Sequence, residues 1–300
     1  MKNYIIVTDS CCDLPKEYII NNNIPFVSLP YTFMGKNYMD DFGDSLNYKD
    51  FYEGMKNGEM PDTSQANPES YFKLFKEILD KDKNTSIIYI CLSSGLSGSY
   101  NSANIAKIMI LEQYPKANVE IIDCLTSSLG QGLLVIKSLE MQRNGATLGE
   151  VVQYLNDAKY RLNTYITVDD LSHLKRGGRI SSTAAALGIV LHLKPILTLT
   201  DEGKVIPILK AKGRKNAFNK LVSILCEKII NPENQTIMIC HGDTITEAEK
   251  LKELILKNVK VKDIIINHIG PVVGRFGGPG AIGLFFMGDH RQNHVVDVNI

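Results

Sequence analysis

Short apolar runs rich in β-branched residues alternate with longer segments of helical periodicity in the first half of the chain. The strand-like runs lie at residues 4–8, 86–92 and 119–123, and the helix-like segments that follow them lie at 15–22, 98–114 and 128–143. Strands that alternate with helices pair in parallel, because a crossover helix returns the chain to the sheet in the same direction. This order predicts an α/β lobe whose parallel sheet carries helices on both faces.

The second half predicts a different order of elements. Apolar runs at 195–200 and 204–211 flank the turn Asp201-Glu202-Gly203, which is typical of an antiparallel hairpin. The remaining predictions are a helix at 214–230, a strand at 236–240, a helix at 246–258, and strands near 263–269 and 281–287. A helix-like stretch between the halves places a domain boundary close to residue 160. We therefore expect an α/β lobe at 1–160 and a smaller α+β lobe at 161–300, with a cleft between them.

Charge and cysteine content argue against several classes of protein. The 33 basic and 33 acidic side chains cancel, and the dense basic stretch from Lys175 to Arg179 is too short for a nucleic-acid surface. The six cysteines form no C-x-x-C pair, which favours neither a disulfide framework nor a zinc site. The apolar segment 269–288 is interrupted by Arg275 and glycines, so it does not predict a membrane span. With no secretion signal at the start, we expect a cytoplasmic protein.

Hydroxyl-bearing residues follow three of the predicted strands, in the loops 8–15, 93–99 and 124–128. Ligands of open α/β sheets bind beyond the carboxyl ends of the strands, and each of these loops leads into a helix N terminus that favours an anion. Ordinary helix capping explains one Ser or Thr in each loop. The loop from Ser93 to Ser99 contains four serines, however, so its surplus of hydroxyls suggests a bound anion.

Two alternatives share this loop. Ser97 lies between a predicted strand and a helix, as the nucleophile of an esterase would, and His241 beside Asp243 is the best choice for the rest of a triad. Ser99 replaces the last glycine of that motif, so a serine acyl hydrolase fits imperfectly. The same helix N terminus would also suit a binding module for a small phosphorylated metabolite. The sequence has no Walker loop, H-E-x-x-H or G-x-G-x-x-G, so nucleotide and metal sites lack support.

Two glycine-rich segments each leave two interpretations open. The segment Leu174 to Ile180 carries three cations and two glycines, and predicts either a solvated turn before a helix or a docking surface for a negatively charged partner protein. Residues 270–280 contain many glycines and prolines, and predict a dense turn segment that either bends tightly or lets the backbone approach a ligand.

Taken in order, these motifs resemble the DegV family of fatty-acid-binding proteins over nearly the whole chain. The resemblance rests on Thr8 to Pro15, Thr63-Ser64-Gln65, Ser93 to Tyr100, Asp123 followed by Ser127 and Gly130, Leu174 to Ile180, Leu193 to Leu197, and Gly278-Pro279-Gly280. It implies a two-domain α/β fold that binds one long-chain fatty acid between its lobes without transforming it. The carboxylate would lie near Thr63 and Ser97, with the tail in an apolar tunnel.

Some family members carry the lipid for a bacterial fatty-acid kinase, in which a separate ATP-dependent kinase phosphorylates the bound acid to an acyl phosphate. The resemblance thus implies a non-catalytic carrier with no metal and no cofactor beyond the fatty acid, and it allows transient contact with a membrane. The ligand-binding residues that it implies are Thr63, Ser64, Ser94, Ser97, Lys212, Arg275 and Phe276. Those expected to dock the kinase are Lys175, Arg176 and Arg179.

Two positions depart from the family pattern. Phe276 stands where relatives often have histidine, and Lys212 where they often have arginine. Lysine is a point charge that cannot reproduce the two-pronged hydrogen bonding of arginine. The sequence therefore predicts a head group held mainly by Thr63, Ser64 and Ser97, with Arg275 as a neighbouring cation that could compensate.

Overall fold

The computed structural model describes residues 4–169, 171–180 and 193–291. Its strands are β1 (Tyr4–Asp9), β2 (Phe26–Val27), β3 (Pro30–Phe33), β4 (Lys36–Met39), β5 (Asp62–Thr63), β6 (Ser86–Cys91), β7 (Val119–Asp123), β8 (Leu162–Thr167), β9 (Leu193–Leu199), β10 (Val205–Lys212), β11 (Thr236–His241), β12 (Asp263–His268) and β13 (Ile282–Met287). Its helices are α1 (Lys16–Asn21), α2 (Tyr48–Lys56), α3 (Pro68–Lys81), α4 (Ser99–Gln113), α5 (Leu129–Arg143), α6 (Leu148–Arg161), α7 (Ser172–Arg176), α8 (Gly213–Lys228), α9 (Ile245–Asn258) and α10 (Pro271–Gly277).

The first sheet has the order β2-β1-β6-β7, and all of its strands are parallel. Successive side chains of β6 point to opposite faces, as a pleated strand requires. Ile88 and Ile90 pack in one core with residues of α5 and α6, whereas Ile87 and Tyr89 pack in another with residues of α3 and α4. A parallel sheet buried on both faces by helices is the arrangement that the sequence predicts.

The second sheet has six strands in the order β10-β9-β8-β13-β11-β12 and is largely antiparallel, including the expected hairpin of β9 and β10. Its outer face is covered by α8 and α9, where Leu221 and Leu251 pack against Ile237 and Ile239. Its inner face contributes Met238, Cys240 and Phe285 to the same core as α5 of the first lobe. The two sheets therefore share a continuous apolar layer.

The predicted boundary near residue 160 coincides with the change from one sheet to the other. Helix α6 ends at Arg161, and β8 at once enters the second sheet. The division into lobes at 1–160 and 161–300 stays a prediction, whereas the mixed α/β fold with a parallel sheet and flanking helices is confirmed.

A small antiparallel sheet of order β4-β3-β5 was not predicted. Its strands are two to four residues long, and β4 contains Lys36, Asn37 and Tyr38 with little alternation of polar and apolar residues. Such strands carry almost no periodic signal. This sheet fixes the position of one predicted ligand-binding residue, because Thr63 in β5 pairs with Tyr31 in β3.

The expectation that residues 270–280 form only turns was wrong, because residues 271–277 form helix α10. Pro271 occupies the first turn, where its missing amide costs nothing and its fixed φ favours the helix. Gly274 brings the helix onto Tyr52, because a Cβ at that position would overlap the Tyr52 hydroxyl oxygen. The helix expected after Ile180 would fall on residues 181–192, outside the described residues.

Candidate functional site

A cavity of about 110 Å³ lies between the carboxyl ends of the first sheet and the inner face of the second. Its apolar wall comes from both lobes and comprises Leu29, Leu92, Leu96, Ile166, Val168, Leu174, Val205, Cys240, Ile269, Val272, Val273, Phe276, Gly277, Ala281 and Phe285. Its polar members are Thr63, Ser64, Gln65, Ser97, Ser127, Ser128 and Arg179. An apolar cavity with a few polar groups is the usual form of a small-molecule site.

The segment Thr63-Ser64-Gln65 contacts the serine-rich loop directly. The Ser64 amide donates to the Pro30 carbonyl oxygen at 3.3 Å, which continues the pairing of β5 with β3. The Gln65 side-chain amide donates to the Ser102 hydroxyl at 3.0 Å, and a Cβ at Gly98 would overlap the Gln65 side-chain oxygen. Gly98 is needed for this close approach, which brings the predicted residues Thr63 and Ser64 to the same cavity as Ser97.

The serines of the Ser93–Ser99 loop have different surroundings. Ser97 lines the cavity, and its hydroxyl lies 3.0 Å from that of Ser99 and accepts a 3.2 Å hydrogen bond from the Ser99 amide. Ser93 is buried and donates to the Gly203 carbonyl oxygen at 3.1 Å. Ser94, predicted as a ligand-binding residue, is exposed and does not line the cavity. Its amide instead donates to the Asp123 carboxylate at 3.1 Å.

Arg179 is the one cation that lines the cavity among the described residues. Its Nε donates to the Leu96 carbonyl oxygen at 2.9 Å, which fixes it to the residue before Ser97. Nη1 donates to the Gly177 carbonyl oxygen at 2.7 Å. Burial, together with the nearby Arg275 cation, lowers the pKa of the Arg179 guanidinium. The sequence pointed to Arg179 only as a docking residue, beside Lys175 and Arg176, which are exposed.

The remaining predicted ligand residues lie in different places. Phe276 lines the cavity, whereas Lys212 and Arg275 do not. Lys212 is exposed at the end of β10. Arg275 donates to the Pro61 carbonyl oxygen and, through Nη2, to the Asp62 carboxylate at 3.1 Å. It therefore tethers α10 to the segment that carries Thr63.

Three polar lining residues, Gln65, Ser127 and Ser128, are not among the ligand-binding residues that the sequence predicts. Ser128 has a left-handed backbone with φ of 55°, and its amide donates to the Cys11 carbonyl oxygen at 2.7 Å. Its hydroxyl bonds the buried Asp13 carboxylate. Their place after a strand could have indicated Ser127 and Ser128, because the loop after β7 lies at the same edge of the sheet as the loop after β6.

The geometry argues against a serine hydrolase. The hydrogen bonds of the Ser97 hydroxyl go to Ser99 and to no histidine within the described ranges. His241 accepts a 3.2 Å hydrogen bond from the Thr244 amide through Nδ1, and burial together with His268 lowers its pKa to about 4. Across the part of the chain that the structure describes, no group of His, Cys, Asp or Glu side chains is arranged to hold a metal. No described helix is long and apolar enough to cross a membrane.

Comparison with known proteins decides the family. The family described as DegV, uncharacterised protein, matches residues 3–289. This chain belongs to the DegV family. A DegV domain-containing protein of Clostridium perfringens is 42% identical over 292 residues, which cover 97% of this chain and 100% of the relative.

Solved DegV structures share the fold. DegV of Bacillus subtilis, described as a fatty acid binding protein, is 30% identical with a TM-score of 0.82, and the match covers 96% of this chain and 100% of that one. A stearic acid-binding protein of Eubacterium ventriosum is 28% identical with a TM-score of 0.83, and the match covers 95% and 98%. The mixed α/β fold predicted from the sequence is thus also that of fatty-acid-binding relatives.

Proposed function

We propose that this DegV protein binds one long-chain fatty acid in the cavity between its sheets and does not transform it. The observation that carries the proposal is the gathering of Thr63, Ser64, Ser97 and Arg179 on a cavity whose other walls are mostly apolar. Burial of an alkyl tail contributes roughly 0.8 kcal/mol per methylene, so the tail supplies most of the affinity. The hydroxyls and the guanidinium fix the register of the head group.

The head group would be a carboxylate, because the polar wall combines hydroxyl donors with a cation that forms no ion pair with any described carboxylate. A buried carboxylate needs hydrogen bonds and a counter-charge to offset its lost hydration. Thr63, Ser64 and Ser97 offer the hydrogen bonds, and Arg179 offers the charge. In this assignment Arg179 belongs to the ligand site and not only to a docking surface.

The cavity must widen to accept the tail. Its volume of about 110 Å³ is below the range of roughly 300 to 1,000 Å³ that is typical of ligand pockets. The wall consists largely of side chains that can change rotamer, among them Leu174, Val205 and Phe276. Fatty-acid binding would separate these side chains without unfolding either sheet.

A second part of the proposal is that the bound acid is presented to an ATP-dependent fatty-acid kinase for conversion to an acyl phosphate. Lys175 and Arg176 are exposed three to four residues from Arg179, which lines the cavity. A partner that binds these cations would therefore stand close to the head group. Protein docking through exposed charges of this kind governs association rate and orientation.

Lipid extraction with matched serine variants tests the binding. We expect an organic extract of the purified protein to contain long-chain fatty acid. Thr63→Ala and Ser97→Ala should each lose roughly 10- to 150-fold in affinity, because each removes a hydrogen bond to a charged group worth about 1.5–3 kcal/mol. Ser94→Ala is the control from the same loop and should bind as the wild type does, since Ser94 lies outside the cavity.

Native mass spectrometry after addition of palmitate measures the retained ligand in each variant. A lipid-free extract from the wild type and no uptake of palmitate would contradict the proposed function. Equal retention by all three variants would show that the head group is held elsewhere. Turnover of acyl esters that disappears in Ser97→Ala would instead favour the hydrolase.

A further inference from the structure

The ring of Phe276 contacts two guanidinium groups at the wall of the cavity. Its centroid is 4.7 Å from the central carbon of Arg179 and 5.2 Å from that of Arg275. Gly177 makes room for the ring, because a Cβ there would overlap the Phe276 ring carbons. Aromatic faces attract cations at such distances, and the attraction grows as the groups are removed from water. The ring therefore holds two like charges that would otherwise repel each other.

The two arginines differ in how their charge is neutralised. Arg275 is paired with the Asp62 carboxylate, at 3.1 Å. Arg179 has no carboxylate partner among the described residues, since its hydrogen bonds go to the carbonyl oxygens of Leu96 and Gly177. These bonds use Nε and Nη1. The Nη2 group of Arg179 makes no hydrogen bond within the described ranges, so this cation can still accept an anion.

The contacts of Arg179 fix the plane of its guanidinium. The carbonyl oxygens of Leu96 and Gly177 each accept a hydrogen bond from the guanidinium, and the Phe276 ring packs against the guanidinium. Without the ring, the long arginine side chain could swing away from Arg275 toward water, because like-charge repulsion would favour separation. Phe276 contacts Arg179 through its ring and also lines the cavity.

We propose that Phe276 is a positioning residue for the head group, and that it holds the Arg179 guanidinium where it neutralises the carboxylate of the bound fatty acid. This inference rests on the proposed function. It predicts that the contribution of the Phe276 ring to binding affinity depends on the charge of the ligand. A ring that only packs against the ligand would favour an acid and an alcohol equally.

Binding of dodecanoate and of dodecanol separates these roles, because the two probes share an alkyl chain and differ in charge. Affinities are measured by displacement of a fluorescent fatty-acid analogue at a pH where dodecanoate is ionised. We expect Phe276→Leu to weaken dodecanoate binding roughly 3- to 10-fold more than dodecanol binding. Phe276→Tyr should keep the wild-type preference, because it keeps the ring.

Phe285→Leu is the matched control, since Phe285 also lines the cavity and has no cation over its ring within the described part of the chain. It should weaken both probes alike. Phe276→Met, which is unbranched and adaptable, replaces Phe276→Leu if the latter does not fold. A second control is the Arg179→Gln background, in which Phe276→Leu should cause no further loss that is selective for dodecanoate.

Two results would overturn the inference while leaving the proposed function intact. One is an equal loss of both probes in the ring-deleting variants, which would make Phe276 a packing residue. The other is a dodecanoate-selective loss that persists in the Arg179→Gln background. Failure of the wild type to bind either probe would instead overturn the proposed function itself.

Discussion

Asp40 is a buried carboxyl at the junction of the two lobes. Its Oδ2 has no hydrogen-bond partner within the described residues, and a Cβ at Gly270 would lie 3.3 Å from that oxygen and 2.6 Å from Oδ1 of Asp13. Burial raises the pKa of Asp40 to about 7, although hydrogen bonds from Ser10 and the Phe42 amide act to lower it. Burial also raises the pKa of Asp13 well above its usual range, and its Oδ1 accepts the Gly270 amide at 3.0 Å.

We predict that Asp40 makes the free energy of unfolding depend on pH between about 4 and 7. In that window the folded state keeps a proton that the unfolded state has lost, so the contribution of Asp40 is complete below its unfolded pKa and disappears as the pH rises through about 7. The stability of wild type relative to Asp40→Asn should fall by on the order of 2–4 kcal/mol across this range. Urea unfolding at several pH values measures the difference, and parallel profiles for both proteins would refute it.

At the residue scale, the sequence predicted Thr63, Ser64, Ser97 and Phe276 as ligand-binding residues, and all four line one cavity. It could not separate Ser97 from Ser94, because both are serines of one loop and only the turn decides which faces the cavity. Nor could it place Arg179 on the cavity wall. That position depends on a carbonyl of the distant Leu96 and on the Phe276 ring.

The hairpin of β9 and β10 packs its turn onto the serine-rich loop. Gly95 is the contact point, since a Cβ there would overlap the Glu202 carbonyl oxygen and lie 2.9 Å from the Gly203 carbonyl carbon. We predict that Gly95→Ala lowers the free energy of unfolding by about 1–3 kcal/mol, because neither backbone can yield without moving the other. Fatty-acid affinity should fall as well, since Ser97 lies on the displaced loop.

Gly149→Ala is the control for this change. Gly149 lies in α6 with no atom within 4 Å of an added Cβ, so alanine there should be neutral or stabilising by up to about 1 kcal/mol. Chemical denaturation of both variants gives the comparison. Equal stability of Gly95→Ala and wild type would mean that the turn between β9 and β10 does not pack tightly against the Ser93–Ser99 loop.

Elements with strong periodicity were predictable, and those held by tertiary contacts were not. Helix α3 combines an Asn67 cap with apolar positions that recur at helical spacing, so its limits at Pro68 and Lys81 could be predicted closely. Helix α10 packs closely onto Tyr52, whose hydroxyl donates to the Ile269 carbonyl oxygen at 2.8 Å. The local sequence of α10 cannot indicate a contact with a residue more than 200 positions away, as Tyr52 is.

At the scale of the whole molecule, both lobes form one apolar layer, and the cavity lies inside it. Asn267 of the second lobe donates to the Asp13 carbonyl oxygen at 2.8 Å, and Arg275 reaches back to the segment before Thr63. Binding of a fatty acid would therefore stabilise both lobes together. A ligand held here would also present its head group on one side of the molecule, where Lys175 and Arg176 are exposed.

We predict that charge reversal at Lys175 and Arg176 impairs delivery to a kinase without impairing lipid binding. With palmitate, ATP and a fatty-acid kinase, the double variant Lys175→Glu/Arg176→Glu should form acyl phosphate at least about 10-fold more slowly at low salt, because like charges would now face an acidic partner surface. The wild-type rate should itself fall as salt is added, since screening weakens exposed charge pairs. Lys116→Glu is the control, because Lys116 is exposed before β7, at the amino end of the first sheet and opposite the site. If the double variant retained palmitate and supported the reaction at the wild-type rate, the kinase would have to approach the head group from another side.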